Sequence, residues 1–403
     1  MAIGAGGFDQ PVPLAVYIHL PWCVRKCPYC DFNSFQQSGD LPEQAYVNAV
    51  LADLDEELPR IWGRRIESVF IGGGTPSLFT PKAVADLLDG LCMRLPLRPD
   101  MEITLEANPG TFEQARFSEY RQIGINRLSI GIQSFDSALL KKIGRIHDGY
   151  QARRAVEVAR RAGFDNINLD LMFGLPGQAI ESALADVEMA LEFTPEHLSY
   201  YQLTLEPNTA FNHRPPRLPG DETIDYMQRA AQEKFKRAGL RQYEVSAYAR
   251  QGQQCRHNLN YWTFGDYLGL GAGAHEKITL ASEGRLLRRW KLRQPEQYMA
   301  GAQAGKAWGG ENWVEPGQRV FEFMLNALRL REGFDMALFE ARTGLSRGHL
   351  QSGVAHAISL GLLEREGNRL RPSPLGWRFH NDLLLIFLPD KDEPKPSASG
   401  ISP

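Results

Sequence analysis

Short β-rich runs alternate with amphipathic helical segments over residues 14–205, and this alternation restricts the chain to parallel strands joined by helical crossovers. The β-rich runs are Ala15–Leu20, Ser68–Ile71, Glu102–Leu105, Arg127–Ile132, Asn166–Phe173 and His197–Leu205. Between them, Gln44–Leu58, Pro81–Leu95, Gln151–Ala162 and Ile180–Leu191 carry apolar residues at helical spacing. Six units, rather than the eight of a closed barrel, predict an α/β fold over residues 14–250: a partial (β/α)6 barrel left open on one side, which would admit a large substrate. Chemistry in such barrels sits at the carboxyl ends of the strands.

The most chemically specific feature follows the first strand: Cys23-Val-Arg-Lys-Cys27-Pro-Tyr-Cys30. Three thiolates on one short loop can hold three irons of a four-iron cluster and leave the fourth iron open to another ligand. A structural zinc loop is the alternative, but zinc sites usually close with four ligands in paired spacings, and the chain has no second cysteine pair. The spacing resembles the signature of the radical S-adenosylmethionine (SAM) superfamily, in which the open iron chelates the amino and carboxylate groups of SAM. The two other cysteines, Cys92 and Cys255, make no disulfide framework, and five cysteines in 403 residues fit a reducing compartment. Cys92 lies in a helical run and is expected to be a buried, inert thiol.

Forty-five basic residues against 48 acidic ones give a net charge of −3, which supplies no general attraction to nucleic acid or to an acidic membrane. The first ten residues lack a basic start and an apolar core, and no apolar run approaches the length of a bilayer span. A cytoplasmic location is expected.

Further motifs fall where barrel chemistry would lie. Phe70-Ile-Gly-Gly-Gly-Thr-Pro-Ser77 runs a strand into three glycines, whose bare backbone can approach a ligand closely. Glu106 ends the strand of Glu102-Ile-Thr-Leu-Glu-Ala-Asn-Pro109 and would face the opening. Asp170 sits inside an apolar strand, where an unpartnered carboxylate would cost several kcal/mol. It is therefore expected to face a polar cavity, with pairing to an arginine as the alternative.

Taken together, Tyr17, Pro21-Trp-Cys23, the three cysteines, the triple glycine, Glu106-Ala-Asn-Pro109, Gly131-Ile-Gln-Ser-Phe135, Asp170 with Gly174-Leu-Pro176 and Gly269-Leu-Gly-Ala-Gly-Ala-His275 resemble the family of oxygen-independent coproporphyrinogen III oxidase and its relatives, over about residues 14–385. The resemblance implies a radical SAM barrel in which Cys23, Cys27 and Cys30 hold a [4Fe-4S] cluster. It also implies that Tyr17, Gly73, Gly74, Thr75, Glu106, Gln133, Arg145 and Asp170 contact SAM, with Tyr29 at another ligand-facing position. Two departures matter. The oxidases continue the cluster loop with a fourth cysteine where this chain has Phe32, and they carry a longer extension than the 22 residues that precede Cys23 here.

Cys255-Arg-His-Asn-Leu-Asn-Tyr-Trp262 adds an His-Asn-x-x-Tyr-Trp motif. That combination resembles the haem-chaperone branch of the family, which binds haem instead of decarboxylating its precursor. An imidazole at His257 could ligate haem iron, with Asn258 beside it and Tyr261 and Trp262 stacking on the macrocycle. Cys255 is a candidate thiolate ligand or attachment point. The implied partners are haem, a haem-acceptor protein such as a membrane respiratory protein, and a reductant such as flavodoxin or ferredoxin. Coproporphyrinogen oxidation is the competing activity.

Residues 251–310 are expected to connect the barrel to a smaller C-terminal α+β, winged-helix-like domain over 311–388. There Val320–Leu328 and Gly348–Leu360 read as helices and Leu362–Arg371 as a hairpin turning at Gly367-Asn368. From Phe321 to Leu388 eight arginines face seven acidic residues, a balance with almost no phosphate affinity. This domain reads as a cover or docking surface for the open barrel. Residues 1–13 are expected to be flexible, and 389–403, short of apolar residues, to be a disordered tail.

Overall fold

A computed structural model describes residues 7–8, 11–110 and 114–389. Below, strands of three residues or more and helices of seven or more are numbered in chain order. The six expected strands form as β1 (Leu14–Leu20), β2 (Ile66–Gly73), β3 (Leu97–Ala107), β4 (Arg127–Gln133), β5 (Ile167–Phe173) and β6 (His197–Gln202). They lie side by side in chain order, all parallel, and β1 is not paired with β6, so the barrel is open. Their apolar runs follow from burial on both faces: in β1 every residue except Tyr17 is buried. Around the outside pack α1 (Glu43–Ile61), α2 (Pro81–Cys92), α3 (Gly149–Arg161), α4 (Ile180–Glu192) and α5 (Asp221–Arg237). Their starts are fixed locally: Thr80 caps α2 ahead of Pro81, and Asp148 and Gln151 form a reciprocal capping box on α3.

The sheet does not stop at six strands. Beyond β6 it gains β8 (Ala247–Ala249) and then β7 (Arg241–Glu244), both antiparallel additions. The segment expected only to connect domains contains α6 (Arg256–Trp262), α7 (Pro295–Gln303) and four strands, β9 (Asp266–Leu270), β10 (His275–Leu280), β11 (Arg285–Lys291) and β12 (Trp308–Trp313). β9 lies parallel to β1 with Tyr17 opposite Gly269, and β10 to β12 continue antiparallel, giving twelve strands in all. Buried ions bind this extension to the barrel. Arg289 and Lys291 of β11 reach Glu57 and Asp53 of α1, Arg289 also meets Glu276 of β10, and Tyr298 of α7 donates to Asp53 at 2.7 Å. A second group pairs Asp266 with Lys277 at 2.7 Å and Arg64 at 2.8 Å.

The C-terminal unit contains α8 (Pro316–Ala327), α9 (Met336–Thr343), α10 (Gln351–Ser359) and a hairpin of β13 (Leu363–Glu366) and β14 (Arg369–Pro372), turning at the expected Gly367-Asn368. Its core residues Phe323, Met324 and Phe339 share one cluster with Phe264 and Leu286, so it seats on the strand extension rather than hanging from a linker. The start of the chain differs from a flexible arm where it is described: Phe8 packs on this same cluster, Val12 is buried, and the Pro13 carbonyl accepts from the Asp266 amide at 2.8 Å. The tail expected from 389 onward falls, after its first residue, outside the described residues. Among the described residues no helix is long and apolar enough to cross a membrane.

Candidate functional site

The cysteine loop leaves β1 and is anchored at both ends. Trp22-Cys23 pairs in parallel with Phe35-Gln36, and the amides of Gly74 and Thr75 donate to the carbonyls of Leu20 and Trp22 at 2.8 Å each. Those two bonds draw the loop onto the triple glycine. A Cβ on Gly74 would lie 2.5 Å from the Trp22 carbonyl oxygen, so only glycine permits the approach. On its far side the loop is tied by Asn33, whose side-chain amide donates to the carbonyls of Ala272 and Arg293 at 2.9 Å each. The Asn33 carbonyl accepts from His19 Nε2 at 2.8 Å, and His19 Nδ1 in turn meets the Tyr17 hydroxyl at 2.9 Å. Gly273 makes room for this joint, because a Cβ there would meet Asn33 Nδ2 at 2.3 Å.

Cys23, Cys27 and Cys30 are free thiols on the wall of one cavity of about 460 Å³ at the carboxyl ends of the strands. Burial pushes the Cys23 and Cys30 thiols up, a cost that a bound metal cluster would offset by taking the thiolates directly. Among the described residues no group of three or more His, Cys, Asp or Glu side chains is arranged to hold a single metal ion. The donor set is instead three thiols on one short loop with no fourth, which fits a cluster whose irons are each held by one cysteine.

The residues expected around SAM largely converge here. Tyr29, Gly73, Gly74, Thr75, Glu106 and Gln133 line the same cavity, as do Arg145 and Asp170. Tyr17 does not: its ring lies against Phe70, and it faces two neighbouring cavities that also reach Glu106. Glu106 Oε2 accepts from the Gly73 amide at 3.0 Å, and Asp170 accepts from Ser129 and Asn168 at 2.9 Å each. Asp170 thus faces the polar cavity, as its strand position required. Burial and then the charge of Asp170 push the Glu106 carboxyl up to about 8, and burial also raises Asp170. Arg127 acts against the rise at both acids, yet both stay raised, so a further cation at the cavity would be favoured. Gln133 holds φ +66°, an uncommon conformation for a residue with a Cβ and one that clusters at functional sites.

The sequence reading missed Asn108, which links Thr75 and Arg145 through hydrogen bonds of 2.9 and 2.6 Å. It stands in the quoted Glu106-Ala-Asn-Pro109 motif, so the signal was present. It also missed Tyr201, Gln202 and Thr204 beyond β6, which close the cavity wall without any distinctive local pattern.

The expected haem residues separate. His257 is 1% exposed, and both ring nitrogens are engaged, Nδ1 with Ser68 Oγ and Nε2 with the Tyr261 hydroxyl, each at 3.0 Å. Its place on the short helix α6, one turn before Tyr261, turns it into the barrel rather than toward an open cleft. Burial, followed by the nearby Arg127 charge, lowers it to about 3. As placed, His257 does not present a free nitrogen to iron. Cys255 is corrected likewise: it is buried, its sulfur lies 3.5 Å from Glu102 Oε1, and burial raises the thiol to about 12. Cys92, expected to be buried, is exposed at the end of α2. Asn258 lines a polar cavity of about 200 Å³ beneath the cysteine cavity. Tyr261 lines both this cavity and a larger one of about 930 Å³ beside it, whereas Trp262 lines the larger one alone, with Arg329 stacked on it at 4.3 Å. Glu106 and Gly73 stand between this larger cavity and the one that holds the thiols.

The Radical SAM superfamily model matches residues 17–190, and the HemN C-terminal domain model matches residues 314–379. Heme chaperone HemW of Escherichia coli K12 is 47% identical over 93% of this chain and 98% of its own length. Heme chaperone HemW of Haemophilus influenzae is 45% identical over 94% and 99%, and that of Mycobacterium tuberculosis 33% identical over 89% and 90%. Among solved structures, coproporphyrinogen III oxidase (HemN) from Escherichia coli shares the fold with a TM-score of 0.79 at 21% identity, over 94% of this chain and 90% of that one. An open barrel with three cysteines at its mouth and a HemN-type C-terminal domain defines a radical SAM protein, a class that implies a [4Fe-4S] cluster and SAM. Within that class the chain belongs to the HemW haem-chaperone family.

Proposed function

We propose that this protein binds a [4Fe-4S] cluster, SAM and haem, and delivers haem to acceptor proteins, membrane respiratory proteins among them, from the cytoplasm. The observation that carries the reading is the pair of adjoining cavities, one walled by the three thiols and one wide enough for a macrocycle, with Glu106 and Gly73 between them. Cys23, Cys27 and Cys30 would hold the cluster, which together with SAM supplies one-electron chemistry when reduced. Gly73, Gly74 and Thr75, whose amides are already engaged, would turn carbonyls to SAM, Glu106 and Asp170 would supply the negative charge, and Gln133, Tyr29 and Arg145 would complete the wall. Arg145 sets a fixed cation beside the cluster loop, its Nη1 lying 3.7 Å from Cys27 Sγ. Tyr17 acts at one remove, by fixing His19 and through it the Asn33 end of the loop. Haem would lie in the larger cavity against Tyr261 and Trp262, while His257 and Asn258 support that wall from within. A flavodoxin or ferredoxin would be the electron source.

The test is a titration of the anaerobically reconstituted protein with haem, run beside an assay for protoporphyrinogen with coproporphyrinogen III, SAM and reductant. Stoichiometric haem uptake with no decarboxylation is expected. Turnover at an enzyme-like rate, on the order of 1 per second or faster, would replace the chaperone reading by the oxidase one.

A further inference from the structure

The larger cavity contains an imidazole that has no hydrogen bond among the described residues. His275, at the start of β10, is exposed to it, and its ring lies beside Trp290, the residue directly opposite on β11, with ring centroids 6.2 Å apart and planes 27° apart. Every property that disqualifies His257 is reversed here. His257 is enclosed, doubly hydrogen-bonded and borders a space of about 200 Å³, below the usual size for even a drug-like ligand. His275 opens on about 930 Å³. Around it stand the aromatic side chains expected of a macrocycle site, Tyr261, Trp262 and Trp290, with Phe32 56% exposed where the cysteine loop meets the cavity. At the rim Arg293 is exposed and has no carboxylate partner among the described residues; its only side-chain bond is a 3.4 Å contact to Asn33. Arg288, by comparison, is committed to Glu322 and Tyr267.

We propose that His275, rather than His257, would supply the imidazole nitrogen to haem iron in this cavity, with Arg293 receiving a propionate. Desolvation, with the charges of Arg288 and Arg293, lowers the His275 pKa below its ordinary value. The ring is thereby neutral at physiological pH, the form that binds a metal. The propionates, being anionic, match the unpaired guanidinium. The assignment rests on the haem-binding reading above, and it makes Phe32 a cavity wall rather than merely the place of an absent cysteine.

The test uses the full-length, cluster-reconstituted protein and hemin, read by absorption and electron paramagnetic resonance. His275→Gly should shift the Soret band and change the iron spin state, and added imidazole should restore the wild-type spectrum. His257→Gln should leave the band where it is. Arg293→Ala should weaken hemin binding by up to about fivefold without changing the spectrum. If His275→Gly loses its iron–sulfur content, His275→Met carries the same test, because a thioether ligand has its own spectrum. An unchanged spectrum in the His275 variant, or a shift in the His257 variant alone, would overturn the ligand assignment while leaving haem binding intact. Failure of the wild type to take up hemin would overturn the haem reading itself.

Discussion

The Arg145 guanidinium joins the cysteine loop to the barrel: Nη1 lies 3.7 Å from Cys27 Sγ, and Nη2 donates to Asn108 Oδ1 at 2.6 Å and to the Gly131 carbonyl at 2.8 Å. A positive charge so placed favours the electron-rich form of any cluster held there. Arg145→Gln should therefore lower the cluster's reduction potential and weaken SAM binding by about tenfold, the loss of one charge-assisted bond. Potentiometric titration and calorimetry report the two effects separately.

Alanine at Cys23, Cys27 or Cys30 should abolish the brown four-iron chromophore, because no neighbouring thiolate can substitute. Alanine at Cys92, exposed on α2, or at Cys255, buried against Glu102, should keep it. Iron and sulfide analysis decides; a full cluster in all three loop variants would be incompatible with the assignment.

Burial and the charge of Asp170 hold the Glu106 carboxyl at about 8 even with Arg127 and the Gly73 amide acting the other way. A cationic ligand favours the ionised form, so SAM binding should expel a proton near neutral pH. Affinity should then rise between pH 6 and 8. Calorimetry in buffers of different ionisation enthalpy measures the proton count. Glu106→Gln should remove the pH dependence and weaken binding while leaving the iron content intact.

His257 is neutral when folded, with a pKa of about 3 against 6.5 when unfolded. The unfolded chain therefore binds the extra proton between those values, and stability from this residue is lost as pH falls below 6.5. By pH 5 the loss amounts to about 2 kcal/mol. Denaturant melts of the wild type and His257→Gln at pH 7 and pH 5 should differ by that amount in their pH response.

Lys291 neutralises Asp53 and Glu57 inside the protein, so Lys291→Met leaves two buried carboxylates without a cation nearby except Arg289. A loss of about 3–5 kcal/mol is expected on breaking such a pair. Replacing Lys291 and Asp53 together by apolar residues should recover part of it, as measured by the same melts.

That network also explains what could be read from the sequence. The six barrel strands stand out because burial on both faces demands continuous apolar runs, and the helices between them because one stripe is apolar. β11, Arg285-Leu-Leu-Arg-Arg-Trp-Lys291, reads as a charged segment. It becomes interior only through carboxylates on α1 more than 230 residues earlier, a pairing no local pattern encodes. The same limit applied at the site. Spacing revealed the three cysteines, and the motifs revealed Glu106 and Asp170. The His-Asn-x-x-Tyr-Trp motif pointed to His257, but Ser68, 189 residues away, decides that His257 is occupied.

Asn33 ties the last turn of the cysteine loop both to the turn that precedes His275, through Ala272, and to the segment that follows β11, through Arg293. The cysteine loop and the turn before His275 are therefore joined through one side chain, which His19 holds in place from the other direction through the Asn33 carbonyl. Gly273 leaves no slack at this joint, since even a Cβ there would meet the Asn33 amide nitrogen at 2.3 Å. Removing the Asn33 amide should therefore loosen both loops at once, the one that carries the thiols and the one that leads into His275.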